Sequence, residues 1–193
     1  MDQSKLMPVI PRTPLGRPNF RFEIRPYDFS CVAGLYEAAD ESRKSVSPWM
    51  AWLHGDYSLQ DAENWTVHAI YAWKAQTEYE FVIYDREDGK VTGSCGLNRM
   101  NAKDKVCNLG YWVRTSKTRL GAATQAASLL KEFGFGPLGL NRLEIVVAEG
   151  NHASRGVAKK AGAVYEGIQR NRLCVDERIY NAHMYALIKP ATD

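Results

Sequence analysis

The sequence predicts a mixed α/β (α+β) fold, with a central sheet and helices on both of its faces. Strand-like segments, in which apolar residues alternate or run together, are interspersed with segments of helical periodicity. Their order along the chain is strand, two helices, three strands, helix, strand, helix and two strands, which suits a mixed sheet. The 193 residues, of which 45% are hydrophobic, suffice for one domain with a full core.

The N-terminal end is predicted to be an arm that precedes this single domain. Residues 1–19 are rich in proline and are expected to be extended on the surface or disordered. The domain is expected over residues 20–190. It begins with FRFEIR, in which apolar and charged residues alternate as they do in a half-buried strand.

Two helices are expected after this strand. The spacing of apolar residues places the first from about Cys31 to Lys44 and the second from about Leu59 to Ala75. Ser58 and Asp61 resemble a capping box at the start of the second helix, with Asp in place of Glu or Gln.

In the second half of the chain, predicted strands and helices follow one another closely. YEFVIYD, VTGSCGLN and VCNLGYWV are predicted to be three strands joined by hairpins, because the connections are short and rich in turn-forming residues. A helix follows from about Gly121 to Phe133. LEIVV is predicted to be a buried strand, NHASRGVAKKAG a helix and VYEGIQR a strand, and the last strand is expected near Ile179 to Ile188.

Composition and charge exclude several classes of protein. A net charge of +3 falls short of the dense basic surface that nucleic-acid binding requires. The N-terminus does not read as a signal peptide, and the apolar runs are too short for a membrane span, so a cytoplasmic protein is expected. Neither the four cysteines nor the four histidines have the spacing of metal ligands, so no metal site is expected.

The segment TRLGAATQAA, from Thr118 to Ala127, connects a strand to an alanine-rich helix through a small, glycine-bearing turn. Such a junction collects backbone N–H groups without intrahelical partners at the positive end of the helix dipole. It therefore indicates a phosphate site, although an ordinary helix start packed on a sheet would show the same pattern.

Two motifs in the right order resemble the GNAT superfamily of acetyl-CoA-dependent N-acetyltransferases. TRLGAATQAA resembles the acyl-CoA motif Gln/Arg-x-x-Gly-x-Gly/Ala, and NHASRGVAKKAGAVYEG resembles Asn-x-x-Ser-x-x-Val-x-x-x-x-Gly-Phe/Ala followed by Glu-Gly. The chain is most similar to the branch that contains the ribosomal-protein N-terminal acetyltransferases. The resemblance implies a mostly antiparallel central sheet and acetyl-CoA as co-substrate.

The resemblance also implies a set of cofactor-binding residues. Val113 would pair with the pantetheine arm, and Asn151 would contact the cofactor. The N–H groups expected to converge on the diphosphate are those of Leu120, Gly121, Ala122, Ala123 and Thr124. Arg119 stands where the family commonly has glycine; its side chain either places a cation beside the diphosphate or is solvated at the surface.

For catalysis, the resemblance implies that Ser154 protonates the departing thiolate, although Ser and Asn near a helix start also serve as local caps. No base is named. The strand position where related enzymes often carry Glu is Asn108, and the other candidates lie near the second motif: Glu149, Asp176, Glu177 and Tyr180. A water chain to a backbone carbonyl would also serve. Trp49 and Trp52, in an aromatic segment between the first two helices, are expected either to pack in the core or to bind substrate.

The expected activity is transfer of acetyl from acetyl-CoA to a primary amine by direct attack in a ternary complex. The acceptor would be a protein N-terminus or a small amine. The alternative is an acyl-CoA-binding sensor or assembly protein without transferase activity. No nucleic-acid or membrane partner is expected, and whether the chain is a homodimer stays open, since related folds often dimerise.

Overall fold

A computed structural model, which describes residues 14–191, contains one seven-stranded sheet of order β1-β2-β3-β4-β5-β7-β6. The strands are β1 Phe22–Pro26, β2 Tyr79–Asp85, β3 Val91–Asn101, β4 Val106–Val113, β5 Arg142–Ala148, β6 Val164–Val175 and β7 Arg178–Ile188. All neighbouring strands are antiparallel except β4 and β5, which are parallel. The prediction of a mixed, mostly antiparallel sheet is confirmed.

Within residues 14–191, five α-helices flank the sheet. They are α1 Val32–Glu41, α2 Arg43–Val46, α3 Leu59–Ala75, α4 Ala122–Phe135 and α5 His152–Lys160. One buried cluster joins α1 and α3 to the face of the sheet that carries Val82 and Val91. A second cluster joins α4 and α5 to the opposite face, which carries Phe81 and Leu97. Helices therefore lie on both faces, as the order of strands and helices along the chain predicts.

The structure departs from the sequence prediction in the first helix, which ends at Glu41 and is followed by the separate short helix α2. The Ser42 hydroxyl donates a hydrogen bond to the Ala38 carbonyl (2.6 Å) and accepts one from the Thr115 N–H (3.0 Å). A serine that bonds back to the preceding turn competes with the helical ladder, which explains the break.

The predicted arm lies partly outside the described residues, since nothing is described before residue 14. Its last residues run beside the first strand, where Leu15 and Ile24 exchange backbone hydrogen bonds of 2.8 and 2.9 Å. Within residues 14–191, no helix has both the length and the apolar character needed to cross a membrane.

Candidate active site

The centre of the sheet opens into a cleft. The parallel strands β4 and β5 pair only at Val106, Cys107 and Asn108 of β4, after which the two strands diverge. From Leu109 to Val113, β4 has no described partner on that side, so its main-chain groups line the cleft and are available to pair with an extended ligand. This unpaired stretch of β4 includes Val113, the position at which the family resemblance implies pairing with the pantetheine arm.

The chain leaves β4 through a 3-10 turn at Thr115–Lys117 and then makes a strained loop before α4. Arg119 has a φ of 64° and Gly121 a φ of 91°, both in the left-handed region. Glycine adopts this region readily, whereas a residue with a Cβ is destabilised there by about 1 kcal/mol or more. The sequence departs from the family motif at Arg119, and the structure keeps there the conformation that favours glycine.

Helix α4, which follows this loop, begins without a side-chain cap. Ser58 and Asp61 form the predicted capping box of α3, and Asn151 caps α5, whereas α1, whose N-cap is Cys31, begins without a side-chain cap. The N-cap of α4 is Gly121, which offers no side-chain cap, and the first helical turn carries no acidic residue. Within the described residues, the first N–H groups of α4 thus keep their hydrogen-bonding capacity and the positive end of the helix dipole.

A buried carboxylate fixes the approach to this loop. Asp85, at the end of β2, accepts hydrogen bonds from Arg21 (2.6 Å) and Lys117 (2.6 Å), and Lys117 also bonds Asp88. Burial would raise the pKa of Asp85, but the hydrogen bonds from Arg21 and Lys117 outweigh it and lower that pKa to about 2. The charged carboxylate therefore anchors the turn at neutral pH.

Ser154, in the first turn of α5, faces β4 across the cleft. The Tyr111 hydroxyl lies 3.1 Å from both the Ser154 Oγ and the Ser154 carbonyl oxygen. Burial raises the pKa of Tyr111 to about 12, so the phenol stays protonated. Asn151 uses its Oδ1 to accept the Ser154 N–H (3.0 Å), which is the local capping role that the sequence also allowed.

These parts surround one cavity of about 810 Å³. It brings together most of the residues that the sequence analysis selected: Trp49, Val113, Arg119, Gly121, Ala122, Ala123, Thr124, Asn151 and Ser154. Leu120 is not among the lining residues; its side chain is exposed, and its predicted contribution was only a main-chain N–H. The cavity also contains Lys160, which the sequence analysis did not select.

A second cavity of about 570 Å³ lies on the other side of β4, and Met50, Tyr111 and Trp112 line both cavities. It is strongly aromatic. Trp52 lines it and packs on Trp112 and Tyr57, with ring centroids 5.4 and 5.5 Å apart. The two tryptophans of the aromatic segment are thus separated, Trp49 in the larger cavity and Trp52 in the smaller one.

The acidic residues near the second motif do not line either cavity. Glu149 accepts a hydrogen bond from Asn181 and is exposed, and Asp176 and Glu177 form the exposed β6–β7 turn. The structure instead places Glu80 of β2 in the smaller cavity. Glu80 and Tyr111 could not be identified from the sequence, because each lies in a strand pattern that predicts packing and not chemistry.

Comparison with known proteins agrees with this geometry. The family model described as "Acetyltransferase (GNAT) domain" matches residues 21–164. The uncharacterised N-acetyltransferase YoaA of Bacillus subtilis is 29% identical over 108 residues, which are 56% of this chain and 61% of that protein. The chain thus matches about three fifths of the length of this relative.

Solved structures show the same fold. Mycobacterium smegmatis RimJ, solved in complex with CoA-disulfide, superposes with a TM-score of 0.80 at 22% identity, over 91% of this chain and 86% of that one. The ribosomal-protein-S5-alanine acetyltransferase of Vibrio fischeri gives a TM-score of 0.80 at 16% identity, over 92% of this chain and 100% of that one. At these identities the two likenesses establish the fold.

Proposed function

The chain belongs to the GNAT acetyltransferase family, and from this premise we propose that it transfers an acetyl group from acetyl-CoA to a primary amine. One observation carries the proposal: the uncapped start of α4, the unpaired edge of β4 and Ser154 all open into the same cavity. A helix start packed on a sheet for stability alone would not need the other two features beside it.

The residues present fit a CoA thioester. The first N–H groups of α4 suit the diphosphate, since a helix N-terminus with small side chains binds phosphate through its backbone. The basic side chains of Arg119 and Lys160 line the same cavity and add positive charge. The open edge of β4 suits the pantetheine arm, whose amides can pair with the strand around Val113.

Ser154 supplies the proton for the departing thiolate in this proposal. Its hydroxyl is held by Tyr111 at 3.1 Å, and Asn151 fixes the turn that carries it. Ser154 is therefore oriented before any ligand binds, which is what proton transfer to a developing charge requires. Acetyl transfer by direct attack needs no nucleophilic side chain on the protein.

The acceptor amine would enter through the smaller cavity, because this cavity meets the larger one at Tyr111 and Trp112. Structural neighbours that act on ribosomal proteins, such as the S5-alanine acetyltransferase, support a protein N-terminus as the acceptor. The aromatic lining of this cavity also suits a small amine with an apolar body.

The test is amine-dependent release of CoA. The purified protein is mixed with acetyl-CoA and, separately, with peptides that begin with Ala or Ser, with a polyamine and with an aromatic amine, while free thiol is measured. Release above the rate of acetyl-CoA hydrolysis with at least one acceptor is expected. If acetyl-CoA binds and no acceptor accelerates release, the chain is an acyl-CoA-binding protein instead.

A further inference from the structure

We propose that Glu80 is the catalytic base of the acetyl transfer and accepts a proton from the ammonium group of the acceptor. This inference rests on the proposed function and assigns one of its steps to a residue far from both sequence motifs. Its evidence is the placement of the Glu80 carboxylate across the sheet, its hydrogen bonds and its position in the smaller cavity.

Two glycines let the carboxylate extend over the sheet. Glu80 is paired in register with Gly96 of β3, and Gly96 is paired with Gly110 of β4. A Cβ on Gly96 would overlap the Glu80 carboxyl group, so the side chain lies across β3 and points towards β4. A Cβ on Gly110 would meet nothing nearer than 3.7 Å. A Cβ there would make ordinary contacts with the amides of Asn108 and Asn98, so a small group fits over Gly110, about one strand spacing of 5 Å from the carboxylate.

A chain of amides holds one oxygen of the carboxylate and leaves the other free. Asn98 donates from Nδ2 to the Glu80 Oε1 (3.1 Å), and Asn108 donates to the Asn98 Oδ1 (2.9 Å). In residues 14–191, Oε2 receives no hydrogen bond from the protein, and no cationic side chain forms an ion pair with Glu80. A carboxylate that is almost fully buried without a cation is costly, so a functional reason for keeping it is expected.

The ionisation of Glu80 suits a base at neutral pH. Burial raises the pKa of Glu80 to about 7, although the hydrogen bond from Asn98 opposes the rise. Among the nearby charged groups, Glu78 raises this pKa and His68 lowers it, while the neighbouring Tyr27 and Cys95 stay protonated because burial raises their own pKa values. A proton acceptor works best when its pKa lies near the working pH.

Glu80 is the carboxylate of the smaller cavity that is free to act. Asp61, which also lines this cavity, is occupied in the capping box of α3, where it accepts both the N–H and the hydroxyl of Ser58. His68 is hydrogen-bonded to Glu78 at 2.9 Å. Glu80 and Tyr111 both line this cavity, and the Tyr111 hydroxyl contacts Ser154. An ammonium over Gly110 would thus be placed between the base and the thioester end of the larger cavity.

The proton balance is complete with these groups. Glu80 takes one proton from the ammonium, and the neutral amine attacks the thioester carbonyl carbon, so that a C–N bond forms and the C–S bond breaks. The nitrogen loses its second proton to solvent as the amide forms, and the thiolate receives a proton from Ser154. Ser154 regains its proton from solvent, and protonated Glu80 releases its own, so one proton is produced for each acetyl group transferred.

The test compares wild type with Glu80→Gln, which keeps the shape of the side chain and can still accept the hydrogen bond from Asn98. Initial rates with a peptide acceptor are measured from pH 6 to pH 9.5 at saturating acetyl-CoA. For wild type, kcat/KM for the acceptor is expected to rise with an apparent pKa near 7. For the variant, it should fall by about 100-fold at pH 7. The kcat/KM of Glu80→Gln should then rise with the pKa of the acceptor α-amine, about 8, so the difference in kcat/KM between variant and wild type should shrink as the pH increases.

Two further measurements distinguish a catalytic role of Glu80 from a structural one. Binding of acetyl-CoA to Glu80→Gln should be unchanged, and the thermal midpoint at pH 8 should be equal to or above that of wild type, because a buried charge has been removed. A loss of the same size at every pH, a lowered midpoint or a profile identical to wild type would overturn the assignment. If wild type itself acetylates no amine, the proposed function has failed and not the assignment of Glu80.

Discussion

The phosphate-binding role of the loop before α4 can be tested by placing a negative charge in it without changing its shape. Gly121 has a φ of 91°, so most substitutions there would strain the backbone. Asn and Asp tolerate this region best after glycine and are nearly isosteric. A Cβ at position 121 would lie 3.7 Å from the Gln125 side chain, which is an ordinary contact. Gly121→Asp and its matched control Gly121→Asn therefore differ mainly in charge.

The expected difference follows from electrostatics. Two unit charges about 4 Å apart interact by about 1 kcal/mol in water and about 4 kcal/mol at the dielectric of a protein surface. The loop is partly exposed, so we take a repulsion of about 2 kcal/mol between the new carboxylate and the diphosphate. This corresponds to acetyl-CoA binding about 30-fold weaker in Gly121→Asp than in Gly121→Asn.

The assay is calorimetric titration of each variant with acetyl-CoA at low salt, repeated at high salt, where screening should reduce the difference. The thermal midpoint of unliganded Gly121→Asp should be equal to or slightly above that of Gly121→Asn, since the backbone strain is shared and a carboxylate interacts favourably with the helix dipole. Equal affinities of the Asp and Asn variants, with both close to wild type, would refute a diphosphate at the start of α4.

Four further substitutions test other parts of the account. Ser154→Ala should lower kcat by about 100-fold with little change in acetyl-CoA affinity. Equal losses in kcat and in acetyl-CoA affinity would make Ser154 a binding or capping residue. Tyr111→Phe should lower kcat less than Ser154→Ala, because the hydroxyl of Ser154 remains. Asp85→Asn should lower the free energy of unfolding by about 2 kcal/mol at pH 7, as measured in urea. The folded-state pKa of Asp85 is depressed to about 2, so its stabilising effect is present above pH 4 and the difference from wild type should vanish as the pH falls towards 2. Trp52→Ala should raise KM for the acceptor in steady-state kinetics and leave the KM for acetyl-CoA unchanged, and a change in the latter alone would place the acceptor elsewhere.

The order of strands and helices could be predicted from the sequence because periodicity reports which residues face a core. The loop before α4 could be predicted because its chemistry is local: small residues, a glycine and a helix start. The break of the first helix at Ser42 could not, since its hydroxyl also serves Thr115, which lies far along the chain. The helical spacing of apolar residues does not reveal such a tertiary hydrogen bond.

Within the site, the burial of Glu80 could not be predicted from the sequence either. In YEFVIYD it occupies the face opposite Tyr79 and Phe81, where a charged residue is expected to meet solvent. The structure covers that face with α1 and α3 and leaves a cavity in which the carboxylate is buried. Its role depends on two glycines in neighbouring strands, and the pairing register that aligns these glycines with Glu80 cannot be predicted from the sequence of any one strand.

The central claim is that the cleft between β4 and β5 holds acetyl-CoA with its diphosphate at the start of α4. A crystal structure of the protein with acetyl-CoA tests it most directly. We expect phosphate oxygens within hydrogen-bonding distance of the N–H groups of residues 121–124, the pantetheine arm beside Val113, and the thioester between Ser154 and the space over Gly110. Acetyl-CoA bound at a site outside this cleft would contradict the claim.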